Sequence, residues 1–113
     1  MEPSPRIVRA YGELDAQTVA PLVRGLAEAR AGRSGPLHLI VDLSAVTFTD
    51  SSVLTPLNEA WSDCRARGGW IRVVDGGHTT DRVLRHTGLL GRFPVYATVL
   101  DAWEGRTAAA DRS

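Results

Sequence analysis

Three neighbouring residues, Asp50, Ser51 and Ser52, have the types and spacing that could do chemistry in this chain, within the run TFTDSSVLTPL at 47–57. A strand-like run precedes them and a helix-like run follows. Side-chain oxygens are favoured at such a junction because they accept from the amides that a first helical turn leaves without partners. Those amides and the positive end of the helix dipole also tolerate an added anion. A phosphoserine brings about −1.5 to −2 charges and strong acceptors. Two roles are therefore open to the serines: capping a helix, or receiving a phosphoryl group that leaves the fold standing.

The remaining reactive side chains form no comparable cluster. Glu13, Asp15, Asp42 and Asp50 lie near strand ends, where sites of open α/β sheets gather. Acid–base catalysis needs a partner at a defined distance, and their spacing supplies none. They read as capping and loop carboxylates. His78 sits in the turn DGGHTTD, His38 on a strand and His86 on a helix, with no metal-ligand spacing. DGGH lacks the Lys-Ser/Thr ending of a phosphate-binding loop, and no G-x-S-x-G elbow is present. Trp61, Trp70 and Trp103 do not interleave with arginines as a nucleic-acid groove requires. The chain reads as a non-enzyme without metal or cofactor.

The elements that must position the serines follow from periodicity. Residues 6–11 read as a short strand near a sheet edge, ended by Gly12. Val19, Leu22, Val23, Leu26 and Ala27 keep helical spacing, with Pro21 in the first turn and Thr18 as the N-cap. Residues 37–43, LHLIVDL, suit a buried central strand, and SAVTFTD reads as a brief link. Val53, Leu54, Leu57, Ala60, Trp61 and Cys64 define a second helix from about 51 to 67, stopped by Gly68 and Gly69. Residues 70–74 are a second buried strand. Thr79 caps a short third helix that ends at Gly88, residues 95–99 form a last strand, and residues 101–103 start a final helical turn. The prediction is a single small α/β domain over 6–104, with a mostly parallel or mixed sheet of four to five strands and helices packed on it. Residues 1–5 and 105–113 read as flexible termini.

Composition bounds the partners. Of 113 residues, 43% are hydrophobic and 23% charged, and thirteen basic residues balance thirteen acidic ones. This is ordinary globular usage without the basic field that nucleic acid or an anionic membrane selects. One cysteine, Cys64, excludes an internal disulfide and reads as a small buried hydrophobe. No apolar run approaches the roughly 18 residues of a membrane span, and the N-terminus lacks an apolar signal core. A cytoplasmic protein is expected.

The order of motifs resembles the STAS family, shared by sulfate transporters and bacterial anti-sigma factor antagonists. GELD at 12–15 looks like its first turn, and VDLSAVTFTDSSVL at 41–54 is similar to its strand, DLS, aromatic and Asp-Ser-Ser-Gly-Leu pattern. GGWIRVVDG at 68–76 looks like its next strand, and VLRHTGL at 83–89 resembles its helix ending in Gly-Leu. The resemblance implies an antagonist that binds an anti-sigma factor of the serine-kinase type, frees a sigma factor, and is switched off by phosphorylation. A phosphatase resets it. The kinase, not the antagonist, brings ATP and metal. Carried onto this chain, the acceptor is Ser52, with Ser51 second. Asp50 orients the turn or caps the helix. The partner surface comprises Gly12, Glu13, Asp15, Asp50, Ser51, Ser52, Val53, Asn58, Glu59 and Ser62. Two departures stand out. Val53 occupies the family's glycine position, where a branched side chain would stiffen the helix entrance against a kinase. One strand, where the family often has two, precedes the first helix. Val53 motivates an alternative, a STAS subunit that is never phosphorylated and docks into a larger regulatory or transport assembly. A small-ligand site or enzyme built on Asp42, Asp50 and His78 is the remaining reading.

Overall fold

The computed structural model describes residues 5–31, 35–75, 93 and 95–105. Strand β1 (Arg6–Leu14) leads to helix α1 (Ala20–Arg30), and β2 (His38–Thr49) leads through a 3-10 turn (Ser51–Val53) into α2 (Leu54–Ala66). Then follow β3 (Trp70–Val74), β4 (Val95–Tyr96) and α3 (Val99–Glu104). The four strands lie in the order β1-β2-β3-β4, and each neighbouring pair is parallel. This is the α/β class that the alternation of elements predicts, with β1 at the sheet edge. The expected third helix at 79–88, His78, and residues 1–4 and 106–113 lie outside the described residues.

Strand order decides where the core sits. Crossovers between parallel strands keep one hand, so successive steps in one direction place their helices on the same face. Leu22 and Leu26 of α1 and Leu57, Ala60 and Cys64 of α2 accordingly pack together against Val8, Leu39, Val41, Leu43, Ile71 and Val73. The opposite face holds a smaller cluster in which Ala102 of α3 covers Ile40, Val74 and Tyr96. Arg72 ties that helix down: its guanidinium lies 3.7 Å from the centre of the Trp70 ring and donates to the Ala102 carbonyl at 2.8 Å. Glycine is required at the turn from α2 to β3, where a Cβ on Gly69 would collide with the backbone of Leu37.

Three local expectations change. The SAVTFTD segment is strand, not link, because Ala45–Thr49 pair with Tyr11–Leu14 and carry both strands past residues 11 and 43. Two register shifts along this stretch absorb the irregularity, and Gly12 sits at one of them with φ +71°. Thr18 does not cap α1; Val19 occupies that position without a side-chain bond, and the Thr18 hydroxyl is held by Asp15 instead. The last strand stops at Tyr96 because Thr98 turns the chain, its hydroxyl accepting from the Asp101 amide at 3.0 Å to start α3.

Candidate functional site

Parallel pairing brings the C-terminal ends of β1 and β2 together. Leu14 pairs with Thr49, and the Asp50 amide donates to the Leu14 carbonyl at 3.1 Å. The end of the GELD stretch, where β1 gives way to a turn at Asp15, and the DSS turn after β2 thus share one rim of the sheet although they lie some 35 residues apart in the chain.

Each turn is fixed by its own carboxylate. Asp50 has extended backbone and its Oδ1 accepts from the Ser52 amide at 2.8 Å, so it caps the 3-10 turn that opens α2. Capping by Asp50 is one of the two roles expected of it. The Asp15 Oδ1 accepts from the Gln17 amide at 2.8 Å and from the amide and hydroxyl of Thr18, each at 3.0 Å. The Thr18 oxygen in turn accepts from the Asp15 amide at 2.9 Å. These bonds hold the Asp15 carboxyl below the ordinary range, the Gln17 amide contributing most. Asp15 therefore shapes the turn that follows β1.

The two serines differ in exposure. Ser51 is exposed and Ser52 half-buried. Asn58, Glu59 and Ser62 follow down α2, Glu59 and Ser62 exposed and Asn58 half-buried. With Ser51 and Thr55 they form a polar stripe at three-to-four-residue spacing that starts at the serine turn. Gly12 and Glu13 border the same rim, Glu13 exposed.

Val53 is the exception among the expected contacts. Its side chain has no exposed surface and belongs to the core beside Leu57 and Ala60. Its side chain therefore offers a partner no surface. Its backbone, φ −73° and ψ −20°, needs no glycine. The spacing 53, 57, 60, 64 already marked it as inward-facing.

Asp42 is occupied elsewhere. Its Oδ1 accepts from the Ser44 hydroxyl at 2.6 Å and the Ser44 amide at 3.0 Å, and its Oδ2 from Arg9 Nε at 3.2 Å. Burial pushes its carboxyl up, but the Ser44 hydroxyl, the Ser44 amide and Arg9 together hold it below the ordinary value. Eight residues of extended chain, roughly 20–25 Å, separate it from Asp50, so the two make no catalytic pair. Among the described residues there is no group of three potential metal ligands, and no helix is long and apolar enough to cross a membrane. Two residues that the sequence reading passed over border the site: Tyr11, 70% exposed, and Phe48, 47% exposed. No local sequence signal marks either, because their exposure follows from the pairing of β1 with β2 and from the face that the helices cover.

Fold and site together define a small parallel α/β domain with its polar groups gathered at one strand-to-helix crossover. The STAS domain family model matches residues 2–102, and the chain belongs to that family. Over 106 residues it is 30% identical to a Mycobacterium tuberculosis protein provisionally named an anti-anti-sigma factor, covering 94% of this chain and 72% of that one. The crystal structure of an anti-sigma factor antagonist from Mycobacterium paratuberculosis matches with a TM-score of 0.75 at 32% identity, over 88% of this chain and 82% of that one. An anti-sigma-factor antagonist (STAS) domain protein from Planctomyces limnophilus matches with a TM-score of 0.74 at 19% identity, over 88% of each chain, a likeness of fold alone.

Proposed function

We propose that this protein is an anti-sigma factor antagonist of the cytoplasm, that it binds an anti-sigma factor of the serine-kinase type, and that phosphorylation of Ser52 releases the complex. One observation carries the reading: Asp50 fixes the Ser52 backbone at the start of a helix while the residue keeps part of its surface in solvent. The Ser52 hydroxyl oxygen attacks the γ-phosphorus of ATP held by the kinase, ADP leaves, and the kinase takes the proton. The helix start accommodates the new anion. A docked partner does not, because closing over the turn would strip water from a dianion that Asp50, two residues away, also repels. Removal of the phosphate by a phosphatase restores binding, and transcription through the freed sigma factor follows.

The alternative of a never-phosphorylated subunit drew its support from Val53 stiffening the helix entrance. Burial of the side chain means that it does not block the surface, while the stiffness remains for the kinase assay to read. Incubating the protein with Mg-ATP and each serine-kinase-type anti-sigma factor of the same genome, then weighing it, tests the proposal. One added phosphoryl group is expected on the wild type and none on Ser52→Ala. An unchanged mass, with the kinases active on control substrates, rejects it. Ser52→Asp should also weaken binding to the cognate factor at least 10-fold.

A further inference from the structure

Among the described residues, one side of the sheet is thinly covered. The crossover helices α1 and α2 share a face, and on the other face α3 packs on Ile40, Val74 and Tyr96 of β2, β3 and β4. The β1 side of that second face carries Ile7, Arg9, Tyr11 and Glu13, the residues that alternate with buried Val8, Ala10 and Leu14. Phe48 is the Cα partner of Glu13 and alternates with buried Thr49, so it emerges on the same side. Single exposed apolar residues are ordinary on a protein surface. Two exposed aromatics on adjacent strands, Phe48 one residue and Tyr11 three residues from the ends of their strands, are a feature of binding surfaces, where rigid rings supply contact area at low entropic cost.

We infer that Tyr11 and Phe48 are the aromatic anchors of the docking surface, which bends over the C-terminal rim of the sheet from the serine turn onto this second face. The partner meets them with an apolar recess edged by an arginine or lysine that pairs with Glu13. This rests on the reading of Ser52 as a partner-controlled switch. Phe48 precedes Asp50 by two residues, so a protein seated over the serines covers its ring as well. Charge selects the occupant. Among the described residues of this rim, Glu13, Asp15 and Asp50 are all acidic, and Arg9, on the same face as Tyr11, is already paired with Asp42. A second copy of the chain would bring like carboxylates together across a two-fold axis, whereas a basic-edged partner is complementary.

The test measures affinity for each purified serine-kinase-type anti-sigma factor of the same genome. The variants are Tyr11→Ser, Phe48→Ser, their double, Glu13→Gln, and Leu100→Ser at an exposed apolar position on α3. With the factor that binds the wild type, each aromatic substitution should weaken binding about 10-fold and the double about 100-fold. Glu13→Gln should weaken it about 3-fold and reduce its salt dependence. Leu100→Ser should stay within about 2-fold of the wild type, and thermal midpoints should be unchanged. If Phe48→Ser lowers the midpoint, Phe48→Leu keeps the apolar body and reads the ring alone. Aromatic variants that bind within about 2-fold of wild type overturn this inference and leave the Ser52 reading intact. Failure of the wild type to bind any of the factors overturns both. A dimer of the chain alone that Phe48→Ser dissociates gives the patch to a second copy and also overturns it.

Discussion

The Asp50 amide donates to the Leu14 carbonyl at 3.1 Å, and this bond joins the two turns of the candidate site. It extends the parallel ladder by one residue beyond the Leu14–Thr49 pair. The turn at Asp15 and the DSS turn thereby start from one shared frame.

Removing the cap at Asp50 should separate stability from switching. Asp50→Ala loses the acceptor for the Ser52 amide and is expected to cost about 1 kcal/mol in urea-denaturation stability. Asp50→Asn keeps an oxygen in place and should cost a few tenths at most. If the cap also sets Ser52 for the kinase, Asp50→Ala slows phosphorylation in a quench-flow or mass assay, and Asp50→Asn restores most of the rate.

Restoring the family residue at position 53 should harm this chain. Val53→Gly empties a fully buried site and loosens the helix entrance. The expected loss is about 2–4 kcal/mol, read as a lower urea midpoint at constant slope. A neutral result would place the Val53 side chain outside the core.

Acid should act through Asp42. Its folded-state carboxyl is held below the ordinary value of 3.8, so the unfolded chain takes up the proton first. The stabilisation is complete above 3.8 and is lost as pH falls below that value and through the lowered folded one. Asp42→Asn should lower stability near neutrality by about 1–3 kcal/mol, mostly through the Ser44 bonds, because the Arg9 side chain is half exposed and its ion pair is screened. Stability measured between pH 6 and about pH 3 should fall less steeply for the variant than for the wild type.

Cys64 should be silent in the folded protein. Burial pushes its thiol up to about 11, with Asp63 adding to the effect, and its surface is closed. A thiol reagent at pH 8 is expected to titrate no group in the native state and one in urea. Stoichiometric labelling of the native protein would contradict the packing of α2.

Sequence alone determined the features that depend on near neighbours in the chain. The helix over 54–66 follows from apolar spacing, its stop from paired glycines, and the polar turn at 50–52 from capping chemistry, because each involves residues within a few positions of one another. The alternation of strands and helices likewise dictated the α/β class. Tertiary structure decided the rest. That 44–49 is strand depends on Tyr11–Leu14, more than thirty residues away, offering a free ladder. That Glu13 and Ser51 share a rim depends on the same pairing. That Tyr11 and Phe48 face solvent depends on strand order, which sends both crossover helices to the other side of the sheet. Backbone pairing between distant segments is set by which edges and faces are left uncovered, and no local pattern of residues encodes that.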